Sequence, residues 1–405
     1  MKKRIMVTLL SAMLTTGSLT AMAAENFGDA FTKGGWKLSF RYRLELVDQE
    51  PFSSDATAST IRTRLNYTTA DWRGLSLFAE FDYINAFFGD DYNEGGGNTP
   101  DRAQFPVVAD PAGDDWNQAF LQYDRGKSQF RAGRQRIIFD NARFVGNVGW
   151  RQNEQTYDAL SFSYSVAKDF NFTWAYVDNV NRIFGNDVPA GDHSQSTHLV
   201  NVSKSFEAYG KLTAYLYDID NKDVASLSNT TWGGIFDGAG TAGDIKLGYT
   251  LEYARQTDNA NNITSYDADY WRLDLSAKFK SITVYGGFES LEGNDALTGQ
   301  SFRTPLATLH AFNGWADKFL ITPRAGLNDA YVGAKGTVGA WSWNVIYHDF
   351  SAQSGPGNYG SEVDVSLSRP FLEKYGLLLK AADFDPSSTA YGDTTKFWLQ
   401  LTAAF

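Results

Sequence analysis

The chain has no cysteine. That excludes a disulfide framework and any thiol chemistry. Histidine is scarce as well, with His193, His198, His310 and His348 the whole set. None stands in a zinc spacing such as His-Glu-x-x-His. None has a serine two residues on, as an acyl-hydrolysing barrel would need. No acidic cluster has the regular spacing of a calcium loop. The chain is therefore expected to be no enzyme and to need no cofactor or metal. A basic excess is missing too: the net charge is -11, which sets nucleic-acid partners aside. Beyond residue 23, no run approaches the ~20 consecutive apolar residues of a membrane helix.

What is present is aromatic and alternating. Trp, Tyr and Phe make up 15% of the chain, yet its mean hydropathy is only -0.35. Barrels hide their hydrophobicity in this way, by alternating it with polar residues. Period-2 patterns recur from end to end. Trp36, Leu38, Phe40, Tyr42, Leu44 and Leu46 alternate with Lys37, Ser39, Arg41, Arg43 and Glu45. Leu75, Leu77, Ala79, Phe81 and Tyr83 alternate with Ser76, Glu80 and Asp82. Trp271, Leu273, Leu275, Ala277 and Phe279 oppose Arg272, Asp274, Ser276 and Lys278. The polar face carries charges of both signs on strand after strand. A dry sandwich core could not hold them, because burying unpaired charge costs too much; a water-filled lumen can.

Both ends fit export. Lys2, Lys3 and Arg4 precede an apolar stretch from Ile5 to Leu14, and Ala21-Met22-Ala23 has the small-x-small pattern of a cleavage site. Residues 1–23 are expected to be a signal peptide and 24–405 one barrel domain, with 24–34 a short periplasmic lead-in. Counting back in twos from Phe405 gives Ala403, Leu401, Leu399 and Phe397 on one face of a last strand. Such an end resembles the signal read by the outer-membrane barrel insertion machinery.

Connections alternate between short, as at 71–74, 124–127, 166–169 and 280–281, and long, as at roughly 88–114, 139–155, 178–196 and 290–327. The expected fold class is all-β: a transmembrane antiparallel β-barrel of about 18 strands, with short periplasmic turns and long extracellular loops. The segments near 230–237 and 327–335 are the weakest strands, and without them the count is 16. The setting implied is the Gram-negative outer membrane, with its lipid and lipopolysaccharide as partners. Asp90, Asp91 and Glu94 are read as part of a solvated outer loop.

Arginine on the inward face is the informative feature. Arg41 and Arg43 lie on the first strand, and Arg62 and Arg64 on the second. Arg131, Arg134 and Arg136 follow around Gly133. Strict alternation from Phe130 would aim Arg134 and Arg136 at lipid, at a cost of about 2–4 kcal/mol for each at the midplane. A bulge at Gly133 would turn both inward. The loop after this strand holds Phe144, Val145, Val148 and Trp150, too apolar for a solvated tip. It is expected to fold into the barrel and set Arg143 and Arg151 beside the path. Guanidinium groups stay charged and grip carboxylates in bidentate geometry, and rings of them favour anions. Glu45, Glu80, Asp82, Glu252 and Asp274 face them and would pair with some. In the 302–325 segment, Phe312, Trp315, Phe319 and Leu320 suggest a short helix between Pro305 and Pro323.

Two segments carry a resemblance. Gly133-Arg134-Gln135 through Trp150-Arg151-Gln152-Asn153-Glu154-Gln155-Thr156-Tyr157-Asp158-Ala159 is one, and Phe302–Phe319 is the other. Both resemble the alginate-export family of outer-membrane porins. The resemblance implies an anion-favouring pore with Arg134, Arg136, Arg143 and Arg151 along it. The solute it implies is an anionic saccharide such as alginate or an oligouronate, or a small organic anion. The alternative reading is a structural or polysaccharide-binding barrel with little flux.

Overall fold

The computed structural model describes residues 24–207 and 209–405. The expected signal peptide, residues 1–23, lies outside them. After a short helix, α1 (Phe27–Thr32), the chain is strand throughout: β1 (Gly35–Gln49), β2 (Ala56–Thr68), β3 (Leu75–Asp91), β4 (Gly113–Arg125), β5 (Ser128–Gln135) and β6 (Thr156–Ala167). Next come β7 (Phe170–Asn181), β8 (Asp192–Phe206), β9 (Gly210–Ile219), β10 (Asn229–Ala242), β11 (Ile245–Asp258) and β12 (Asp267–Phe279). The last are β13 (Ile282–Leu291), β14 (Leu327–Val338), β15 (Trp341–Ser351), β16 (Asn358–Phe371), β17 (Tyr375–Pro386) and β18 (Thr394–Ala404). Each pairs antiparallel with its chain neighbours, and β1 also pairs with β18 from Ser39↔Ala404 to Gln49↔Thr394, closing an 18-stranded barrel. The two weak segments are full strands, β10 and β14. Closure leaves no edge, so every strand finds its backbone partners within the wall.

The wall is inside out relative to a soluble protein. Leu121, Leu160, Leu273, Leu275 and Val332 are exposed, Leu275 at 55%. Arg43 and Glu45 are fully buried inside. Exposed aromatics sit toward both rims: Trp36, Phe279 and Phe405 at the short-turn end, Trp116, Trp232 and Trp271 at the long-loop end. An apolar band between aromatic girdles is what a hydrocarbon layer demands. No helix is long and apolar enough to cross a membrane, a test that says nothing of strands.

One local expectation gains detail and two are corrected. The lead-in at 24–34 contains α1, capped by the Asn26 side chain on the Asp29 N–H at 2.9 Å. No bulge occurs at Gly133. Pairing runs unbroken from Ser128 to Arg134 against β4, and to Gln135 against β6. Gly133 takes φ 121° within the register, where a Cβ would strike the Ala119 carbonyl, so the bend needs no extra residue. The bulge lies one hairpin earlier. Glu80 pairs with Gln118 and Phe81 with Trp116, which leaves Asn117 over and brings both amides onto Glu80, at 2.7 and 3.0 Å. Third, the 302–325 segment is not a helix beyond one 3-10 turn at Leu309–Ala311. Its N–H groups go elsewhere: Trp315 N donates to Asp364 at 3.2 Å and Ala316 N to Glu362 at 2.7 Å. Asn313, Gly314 and Asp317 all take positive φ, which ends any helical turn.

Candidate pore constriction

The loops 136–155 and 292–326 both enter the barrel and join there. Val145 and Leu306 form a parallel bridge. Gly146 N donates to Leu306 O at 2.8 Å, and Thr308 N donates to Ala142 O at 2.9 Å. Gly146 must be glycine for this approach, since a Cβ would collide with the Thr308 hydroxyl. The Trp150 and His310 rings stack at 4.6 Å. Arg151 meets Asp317 at 3.1 Å, and Arg143 meets Asn313 at 3.0 Å. Phe144 packs among Tyr215, Tyr270 and Phe302. The apolar residues that made the first loop unfit for solvent are what seat it: Phe144 and Val145 are buried, Val148 and Trp150 half-buried.

The arginines of β1 and β2 hold that loop from the wall. Arg41 donates to Gln152 Oε1 at 2.9 Å, to Gly149 O at 2.9 Å and to Arg151 O. Arg43 lies 4.0 Å over the Trp150 ring, 2.7 Å from Gln400 Oε1 and 3.3 Å from Asp110. Arg62 donates to Gln152 O at 3.0 Å and lies 3.7 Å from Glu154. Arg64 grips Asp82 with two nitrogens and reaches Glu154 at 2.8 Å. Arg136 joins Glu80 and Glu154. Burial opposes ionisation of Glu154, but Arg136, Arg64 and Arg62 outweigh it and hold its carboxyl well below the usual range. Arg143 meets Glu289 at 2.6 Å, and Arg151 meets Glu45 at 3.1 Å.

The nine arginines singled out in the sequence therefore divide. Arg41, Arg43, Arg62, Arg64, Arg136, Arg143 and Arg151 gather around the two loops. Arg131 stands apart nearer the short-turn end, bonded to Gln122 at 2.7 Å. Arg134 is not among them. With the register unbroken it falls on the side of Phe130 and Leu160, both exposed to the exterior, and pairs with Asp158 at 2.9 Å and Asp115 at 3.1 Å. Arg41 differs from its neighbours in meeting only neutral oxygens, with no carboxylate within 4 Å among the described residues.

Three inward groups escaped the sequence reading. Lys380 on β17 lies 3.7 Å over the Trp315 ring and 4.3 Å over Trp150, and bonds His310 Nε2 at 2.6 Å. Lys396 on β18 meets Asp317 at 3.0 Å. Gln152 is buried and donates to Thr60 Oγ1 at 2.9 Å. The lysines were readable: if Phe397, Leu399 and Leu401 face lipid, Lys396 must face in. Gln152 carried no signal, because nothing in the sequence says what a loop glutamine will touch.

Further acidic groups line the wall from β11 to β16. Glu252, Glu289, Asp329, Glu362 and Asp364, from β11, β13, β14 and β16, are all buried. Arg272 meets Glu252 at 3.0 Å and Asp274 at 3.2 Å, and His348 meets Asp329 at 2.8 Å. Cations are densest along β1, β2, β17 and β18, but carboxylates stand among them too, with Glu45 on β1, Glu80 and Asp82 on the neighbouring β3 and Glu362 and Asp364 on β16 beside β17.

A closed 18-stranded barrel with an apolar exterior, a charged lumen and inward loops is the architecture of outer-membrane porins. No protein-family model and no curated protein sequence matches the chain. Solved structures do match. Acinetobacter baumannii OccAB4 superimposes with a TM-score of 0.72 at 14% identity, over 92% of this chain and 98% of that one. Pseudomonas aeruginosa OpdK, solved with vanillate, gives 0.71 at 13%, over 91% and 98%. Acinetobacter baumannii OccAB2 gives 0.70 at 17%, over 93% and 100%. At such identities the likeness is one of fold. The alginate-export resemblance gains no support from these comparisons.

Proposed function

We propose that this protein is an outer-membrane channel for small organic anions, carboxylates above all. The observation that carries the reading is Arg41. Its buried guanidinium group sits among Arg43, Arg62 and Arg151 and is held by neutral oxygens alone, so no carboxylate within 4 Å among the described residues offsets its charge. An uncompensated cation in a narrow, low-dielectric passage lowers the barrier for anions and raises it for cations. The fold supports the reading by analogy, since OpdK was solved with the aromatic carboxylate vanillate. Loops 136–155 and 292–326 locked together within the lumen favour a small solute over a polymer.

Acidic saccharides, from monomeric uronates to oligouronates and alginate, are a second reading. It is favoured by the fact that the two segments resembling alginate-export porins are the two that meet at the constriction. Proteoliposomes loaded with the protein distinguish the readings. Uptake of benzoate-type monocarboxylates faster than of neutral sugars of similar size supports the first. Uronates outpacing them supports the second. No uptake of any solute, with a folded barrel, would leave the structural or polysaccharide-binding role. Outer-membrane lipid and lipopolysaccharide around the apolar band, and the insertion machinery at the last strand, complete the expected partners.

A further inference from the structure

The helix α1 sets two large aromatic side chains where the barrel itself does not need them. Phe27 and Phe31 stand one turn apart, 57% and 45% exposed, with ring centroids 5.3 Å from each other. Phe27 also packs edge-on against Trp72 in the β2–β3 turn, at 5.4 Å. The helix is fixed to the outer side of the rim. The Tyr67 hydroxyl donates to Phe31 O, and Ala70 N donates to Ala30 O at 2.8 Å. Tyr67 is the register partner of Trp36, whose ring lies 4.4 Å away and is 66% exposed on the lipid-facing side. Phe27, Phe31, Trp72, Trp36 and Tyr67 thus continue the aromatic girdle of the short-turn end outward from the wall. Arg73 beside Trp72 adds a cation at the same level.

We infer that α1 is an interfacial anchor, a membrane-surface helix whose phenylalanines enter the inner, phospholipid leaflet beside the barrel. Aromatic rings settle at the headgroup boundary, and short amphipathic helices lie in that plane with their apolar side down. The occupant of this patch is lipid because the patch is continuous with a surface that already faces lipid. The inference rests on the membrane reading of the barrel and not on what the channel carries.

The absence of cysteine makes the test clean, since one introduced thiol is unique. Single variants Phe31→Cys, Leu121→Cys in the apolar band and Asp55→Cys in an outer loop are labelled with an environment-sensitive dye and reconstituted in phosphatidylethanolamine–phosphatidylglycerol vesicles. Heat-modifiable gel migration confirms folding of each. Nitroxide placed shallow on the lipid chains should quench the label at 31 several-fold more than the label at 55, with blue-shifted emission. A label at 31 quenched by aqueous iodide and not by lipid nitroxide overturns the anchor. So does one shielded from both quenchers, which would mean that protein covers the helix. If the label at 121 also escapes lipid quenching, the membrane reading fails and the anchor with it. A label at 121 that is quenched beside one at 31 that is not sinks the anchor alone.

Discussion

The Lys380 ammonium lies 3.7 Å from the centre of the Trp315 ring and donates to His310 Nε2 at 2.6 Å. Trp315 and His310 belong to one inward loop and Trp150, also against the ammonium, to the other. One lysine of the wall therefore pins both loops. Desolvated cation–π contacts are worth about 2 kcal/mol. Replacing Lys380 with Met should release that much, roughly a thirtyfold rise in loop excursions. Single-channel records should then show frequent conductance steps absent from the parent. Lys380→Arg, which keeps the cation, should restore quiet traces. Equal noise in all three proteins would show that the lysine pins nothing.

The same latch should loosen in acid. Burial, helped by Lys380, pushes the His310 imidazole down from 6.5 to about 3 against the pull of Asp317. At neutral pH the ring is uncharged and Nε2 accepts. The folded form thus binds the proton less readily than the open one. Its advantage is complete above pH 6.5 and is withdrawn as the pH falls from 6.5 toward 3. Conductance fluctuations should rise through that window and subside on return to pH 7. His310→Gln should remove most of this pH dependence.

Gln152 should matter more than a loop glutamine usually does. Its side chain accepts from Arg41 and donates to Thr60, while its N–H donates to Asp110 at 2.6 Å. Truncation to Ala leaves a buried guanidinium short of an acceptor, a loss of about 1–3 kcal/mol. The melting temperature of the purified barrel should fall by a few degrees. An unchanged midpoint would mean that water replaces the amide without cost.

Arg134 and Arg41 should respond differently to charge removal. Arg134, on the Phe130 side of β5 by register, is already neutralised by Asp158 and Asp115, so Arg134→Gln should leave ion selectivity as it was. A clear selectivity change in Arg134→Gln would restore the inward orientation that the register denies.

How much was legible follows from which forces are local. Alternation is written residue by residue, so the barrel and its faces could be read directly, while the count stayed between 16 and 18 because β10 and β14 alternate weakly. Phe144 and Trp150 announced an inward loop because no solvated tip would carry them. Gly133 misled because a glycine marks a bend without saying whether the bend needs an inserted residue. The helical spacing of Phe312, Trp315 and Phe319 misled because Glu362 and Asp364, far along the chain, take the N–H groups a helix would use. Nothing local reveals that Arg41 meets neutral oxygens while Arg64 meets Asp82. That distinction, on which the proposed selectivity turns, appears only once loop and wall are together.

The most direct measurement is the zero-current potential of the reconstituted channel under a tenfold potassium chloride gradient, for the parent and for Arg41→Gln. The expected result is a potential of anion-selective sign in the parent, shifted clearly toward zero in the variant. A cation-selective parent, or a variant indistinguishable from it, would contradict the claim that the Arg41 charge sets the field in the pore.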